Sequence, residues 1–399
     1  MITLPWSTGV DTLPGSTKPG FFRRLASWWG PRPLGQLALI LGVLAIFWWF
    51  GTNTAATLDR VGISPGFAFL ERSANFEIGE TMIAYRAGDT YARAILAGLL
   101  NTMKVALIGC FLATALGVAL GVARLSGNLL LANLVRWYVE VVRNVPLLLQ
   151  LFFWSALAHA LPPPRHAVGA LGAQLTNRGI FVPAVSLDGA AAPAGMLLTV
   201  LALGAGVLVV ALRRRLGLAV RAGILAGAAG LAMLAVPLTG AALTIELPQL
   251  AGFNIRGGWM LTPEFAALLA GLVVKFSASI AEIVRAGIES VGRGQWEAAR
   301  ALGLHPGQIM RLVVLPQALR VITPLLTSSY LDLTKDSSLA VAIGYPDLVN
   351  VINTTANTTG QSLEALAILV MVYLALNLSV SALMNLYNSR VALRGEARH

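Results

Sequence analysis

Long apolar runs, parted by short turns that carry arginine, constrain this chain more than any other feature. A bilayer's hydrocarbon core is about 30 Å thick, and a helix needs roughly 20 apolar residues to cross it. Such runs occur at Leu34–Phe50, Ala94–Val122, Pro146–Leu161, Gly195–Leu212, Ala222–Leu243, Glu264–Ile280, Pro316–Leu333 and Glu364–Tyr387. Only 12% of the 399 residues are charged, against about 25% in ordinary globular domains. With 56% hydrophobic residues and a mean hydropathy of +0.73, the chain reads as an all-α integral membrane protein of eight spans.

Charge orients those spans. The net charge of +11 does not indicate nucleic acid, because Lys and Arg are not gathered on one soluble domain. Most of the 29 basic residues fall in alternate connections, as the positive-inside rule requires. Residues 1–33 read as a Pro/Gly-rich cytoplasmic tail, and Arg213, Arg214, Arg215 and Arg221 pin another turn to the cytoplasm. Residues 51–93 and 244–263 face outward, and both termini are predicted inside. A cleaved signal peptide at 34–50 is the alternative to a retained helix; the long basic lead and the lack of a clean small-residue cleavage site favour retention. Cys110, the sole cysteine, lies in an apolar run, which excludes disulfide and Cys-based metal chemistry.

The most informative stretch is Glu297–Pro316, which lies in a charged gap between apolar runs. Trp296 to Leu302 are tolerable helix formers, and Glu297 three residues before Arg300 supports a surface helix. Gly303 interrupts that helix. Pro306 opens a second one, with Ile309, Leu312 and Val313 predicted on one face and Pro316 ending it at Leu315. The small residues Ala298, Ala299 and Gly303 would let another protein approach the backbone closely.

Glu297, Ala298, Ala299, Gly303, Val313, Leu315 and Pro316 fill a pattern that resembles the cytoplasmic coupling motif of bacterial ABC importer membrane subunits, with Val313 where isoleucine is usual. The preceding Ala281–Ala299 is similar to the signature of the polar amino-acid permease branch, and Val142–Gln150 resembles a second segment of that branch. The resemblance spans residues 94–389. It implies a type I importer permease fold with a five-helix core, one N-terminal helix at 34–50, and an insertion at 162–245 that carries two helices. Such an insertion resembles the longer permeases of general L-amino-acid importers. The coupling loop would be 282–316, with Glu297, Ala298, Ala299, Arg300, Gly303, Leu315 and Pro316 meeting an ATPase. Implied partners are a dimer of ATP-binding subunits holding ATP and Mg, a second permease subunit, identical or related, and a periplasmic amino-acid-binding protein, all at the bacterial inner membrane.

No GxxxxGK[ST] loop occurs, so ATP hydrolysis is expected in another chain. No catalytic constellation or metal-binding pattern is evident. Polar residues within spans default to function because lipid disfavours them, which nominates Lys275, Arg320, Lys335 and Asp336 for the substrate path, with Lys104, Asp332 and Glu364 behind them. Helix-end snorkelling is the bland account of several. An amino acid carries an ammonium and a carboxylate, so neighbouring acidic and basic groups would suit it. An ion-coupled transporter working without an ATPase is the alternative; it would favour internal repeats, and no self-similarity between the halves is evident.

Overall fold

The computed structural model describes residues 33–61, 66–170, 172–188 and 242–392, with a few isolated positions between 220 and 230. The tail and the two inserted spans, 195–212 and 222–243, lie outside the described residues except at a few positions. Helix α1 (Pro33–Val61) forms part of one compact unit, and everything from Phe67 onward belongs to another. α1 outlasts its predicted end at Phe50. Within the added turns the hydroxyls of Thr52 and Thr57 bond back to the carbonyls of Trp48 and Asn53 instead of competing for other backbone partners.

The second unit is built on α2 (Tyr91–Arg124), which starts at the Thr90 N-cap. Next come α3 (Leu129–Asn144) and α4 (Leu147–His159), bent by 104° at Val145-Pro146. The apolar run expected at Pro146–Leu161 is the single helix α4, whose 13 residues rise only about 20 Å, less than a bilayer core. The carbonyls exposed by the bend are satisfied by other side chains. Lys275 Nζ donates to Arg143 O at 2.9 Å, and Gln150 Nε2 donates to Val142 O and Val145 O, both at 3.0 Å.

Short strands occupy the connections expected to be irregular. β1 (Val168–Ala170), β2 (Ala173–Thr176) and β3 (Gly179–Val182) pair antiparallel, and β4 (Ala184–Asp188) pairs with β5 (Ala242–Glu246) in register Ala184↔Glu246 to Asp188↔Ala242. β6 (Gln249–Ala251) pairs with β7 (Asn254–Arg256), and β8 (Trp259–Leu261) joins the first sheet beside β3. The segment between Asp188 and Ala242 therefore leaves from and returns to one antiparallel ladder.

Helix α5 (Pro263–Glu289) begins at the Thr262 N-cap with proline at its first position. It packs along α2 at close range because α2 supplies glycine where the backbones meet. A Cβ on Gly117 would lie 2.7 Å from Ile280 and 2.9 Å from Ser277 O, and one on Gly121 would lie 2.9 Å from Ala281 O. That is the small-residue packing read from the sequence. Leu268, Leu272 and Ile280 on α5 and Val105 and Ala113 on α2 are fully buried in the main core.

Beyond α5 lie α6 (Arg293–Ala301) and α7 (Pro306–Ile309), then a π-helical turn at Met310–Val314 leading into α8 (Leu315–Asp336). Pro316 does not end a helix here. The wide turn delivers the chain so that Pro316 falls in the first turn of α8, where its missing N–H costs little. The polar stretch at 334–363 is ordered rather than open: a 3₁₀ segment, Ser337–Ile343, precedes α9 (Leu348–Thr359) and α10 (Ser362–Ala392). Among the described residues five helices are long and apolar enough to cross a bilayer, six with the bent α3–α4 pair.

Candidate functional site

Two sites stand at opposite ends of the α2–α5 pair. At one end, α6 closes with a glycine C-cap. Gly303 takes a left-handed φ of +72°, its N–H donates to Arg300 O at 2.9 Å, and Leu304 N donates to Ala299 O at 3.2 Å. Among the described residues a Cβ on Gly303 would meet nothing within 4 Å, so the turn itself, not crowding, selects glycine. On the far side of the turn, the backbone N–H of His305 donates to Gln308 Oε1 at 3.0 Å, steadying the start of α7.

The inward face of this element is anchored. Ala299, Ile309 and Val314 are buried in the main core, with Trp296, Leu304 and Val313 packed against it. The outward face is open. Glu297, Ala298, Arg300, Leu315 and Pro316 are exposed, and Leu302 and Leu312 show 80% and 61% of their surface. Leu312 therefore does not join Ile309 and Val313 on the buried face, since the π turn rotates it outward. Of the small residues predicted for close approach, Ala298 is exposed and Ala299 is 3% exposed.

Just above the element, Arg124 at the end of α2 donates to Glu282 on α5 at 2.5 Å, and Arg285 bonds both Glu282 and Glu289. The pattern of charges in Ala281–Glu289 carried this network, but only the fold brings Arg124 to it. Lys104 and Arg124 stand about 30 Å apart along α2 at 1.5 Å per residue, the thickness of a bilayer core.

At the other end lies a cavity of about 670 Å³ lined by Glu80, Lys104, Leu107, Trp259 and Thr262 among others. Glu80 and Lys104 pair inside it with 12% and 10% of their side chains exposed, and Thr262 Oγ1 donates to Glu80 Oε2 at 2.6 Å. Asn101 Nδ2 holds both Glu80 O at 2.7 Å and Pro346 O at 2.9 Å. Beside it, the buried Asp347 caps α9 by accepting from Asn350 N at 2.9 Å through Oδ1, and burial pushes this carboxyl up to about 7.

The residues nominated for a substrate path are not gathered in one place. Lys275 lies half-buried at the α3–α4 bend within electrostatic reach of Asp336. Lys335 and Asp332 are exposed and Glu364 is half-buried. Arg320 is exposed about 24 Å along α8 from Asp336, toward the coupling element. Glu80 escaped the sequence reading because nothing local marks it as the partner of Lys104. Among the described residues no group of three His, Cys, Asp or Glu is placed to hold a metal ion.

Residues 113–393 match the model of the binding-protein-dependent transport system inner membrane component. The chain is 47% identical over 372 residues to the amino-acid ABC transporter permease protein YhdX of Escherichia coli, covering 90% of this chain and 94% of YhdX. It is 43% identical over 366 residues to the general L-amino acid transport system permease protein AapQ of Rhizobium johnstonii, covering 90% and 91%. It is 39% identical over 396 residues to the glutamate/glutamine/aspartate/asparagine transport system permease protein BztB of Rhodobacter capsulatus, covering 90% and 93%.

Proposed function

The chain belongs to the family of inner membrane components of binding-protein-dependent transport systems, and from that premise we propose how its two ends divide the work of amino-acid import. It is a multi-pass membrane permease subunit of an ATP-driven amino-acid importer, with the type I permease fold, and not itself an enzyme. ATP and Mg belong to a separate ATPase. That assignment sets aside the ion-coupled alternative.

The coupling element is α6, the Gly303 turn and α7. The observation that supports this most is its two-sidedness: Ala299, Ile309 and Val314 root it in the core, while Glu297, Ala298, Arg300 and Leu302 stand free on the other side. An exposed leucine at the tip gains about 1.5–3 kcal/mol by burial in a partner's groove. Both termini and this element are cytoplasmic, and the Glu80–Lys104 end is periplasmic, facing a substrate-binding protein.

Closure of the ATPase pair displaces the element, and α5 carries that displacement because it runs directly into α6. The Gly117 and Gly121 contacts and the Arg124–Glu282 bond make α2 follow α5, so the two helices move as one strut between alternative packings. A second permease subunit completes the pathway. Co-purification of an ATPase chain with this permease, and ATP-dependent uptake of a labelled L-amino acid by the assembled complex in liposomes, tests the reading. Uptake by the purified permease alone, without ATP, contradicts it.

A further inference from the structure

The Glu80–Lys104 pair is only half provided for. Glu80 accepts from both Lys104 and Thr262. Lys104 has three N–H donors, and one meets Glu80; its ammonium otherwise faces the Phe265 ring at 4.1 Å from the centroid and the Trp259 ring at 5.8 Å. An aromatic face attracts a cation more weakly than a carboxylate does. A buried ion pair is stable when its remaining donors and acceptors are satisfied, so the ammonium retains capacity for an oxygen. Leu107, Ile108, Met82 and Met260 supply apolar wall around it.

We propose that this cavity is an outer subsite for free α-amino acids, in which the Glu80–Lys104 pair parts to receive the zwitterion. The substrate carboxylate accepts from Lys104 and its ammonium donates to Glu80. One salt bridge becomes two, and no charge is left buried without a partner. Only a side chain has to swing, because Asn101 holds the Glu80 carbonyl and Glu80 stands on the connection before α2, not within a helix. The cavity's size falls within the roughly 300–1,000 Å³ of small-molecule sites. The two charges are placed for the backbone groups that all α-amino acids share, which suits a broad range of substrates. The proposal rests on the amino-acid reading above and adds to it the residues that meet the substrate first.

The test titrates the assembled transporter, purified in detergent without its binding protein, with radiolabelled L-norvaline, pentanoate and butylamine. The last two lack the ammonium and the carboxylate respectively. The expected result is binding of norvaline, with each analogue at least ten-fold weaker. The double variant Glu80→Met with Lys104→Met is expected to lose norvaline binding at least ten-fold; its folding is checked by its thermal midpoint, and Thr262, which loses its acceptor in Glu80, remains the N-cap of α5. Leu107→Trp, on a residue 68% exposed at the cavity rim, adds bulk to the wall and leaves the pair intact, and it is expected to weaken binding. Undiminished norvaline binding by either folded variant overturns the subsite, as does equal binding of norvaline and both analogues, or no binding to the wild type. ATP-driven uptake is read separately in liposomes. Uptake that ignores all three substitutions overturns the subsite alone, whereas absence of uptake for every amino acid overturns the functional reading beneath it.

Discussion

At the end proposed to face the cytoplasm, the inner end, the α2–α5 pair is joined by Arg124 and Glu282, 16% and 25% exposed; at the opposite, outer end Lys104 and Glu80, on α2 and on the connection before it, are 10% and 12% exposed. The chemistry is alike and the surroundings are not. At the first, the contact opens onto a turn whose partly apolar outer face is exposed among the described residues. Outside, it is walled into a cavity by Trp259, Phe265 and Thr262. The difference teaches that one rigid pair of helices serves two purposes: it offers a surface to a protein at one end and encloses a space at the other.

The largest expected effect falls on the inner surface. Gly303→Val forces a β-branched residue to φ +72°, where even an unbranched side chain costs about 1–2 kcal/mol. It is expected to abolish ATPase co-purification while the membrane-inserted fraction stays near the wild-type level. Next comes the strut. Gly117→Leu drives a side chain into Ile280 and the Ser277 carbonyl, an overpacking worth about 1–3 kcal/mol. Its expected signature is a lower thermal midpoint and weakened transport with the ATPase still attached. A normal midpoint and full uptake would separate the two ends and break the comparison.

A smaller effect is expected from Glu282→Gln, which removes charge-assisted bonds from Arg124 and Arg285. Such bonds contribute about 1.5–3 kcal/mol each when well shielded, and here partial exposure lowers that. The ATPase is expected to bind and hydrolyse normally while amino acid transported per ATP falls, as measured in liposomes. Unchanged stoichiometry would show that the inner pair is only structural.

The smallest effect sharpens the outer end. Asp347 is buried, and its folded pKa of about 7 lies above the ordinary carboxylate value. Its favourable contribution is therefore complete below the unfolded pKa near 4 and is lost as pH rises through about 7. Asp347→Asn keeps an N-cap acceptor for α9 and is expected to flatten the fall in thermal midpoint between pH 4 and 8. An identical pH profile in both proteins would remove Asp347 from the account.

How much of this was legible depended on range along the chain. The α2 and α5 spans, the Gly117 and Gly121 packing and the Gly303 turn rest on local spacing and stand in the structure, although α5 runs on as helix to Glu289, past its expected end at Ile280 and into the expected coupling loop at 282–316. The α3–α4 bend falls at Pro146, where the apolar run was expected to start, but nothing local shows Lys275 arriving from α5 to hold the Arg143 carbonyl. Pro316 misled for a related reason: a proline that ends one helix and a proline that begins the next look alike in sequence, and the π turn decides between them. Lys104 was noticed as a polar residue in a span, but Glu80 acquires meaning only when the fold sets it beside Lys104. Lys275, nominated for substrate, is held by two backbone carbonyls.

The central claim is that the Gly303 turn is where a separate ATPase drives this permease. Its most direct test is ATP-dependent uptake of a labelled L-amino acid into liposomes holding the full complex, compared between wild type and Gly303→Val at matched permease content. The account predicts uptake by the wild type and loss of both bound ATPase and uptake in the variant. Equal uptake by the two, or uptake by the wild type without any ATPase chain present, would contradict it.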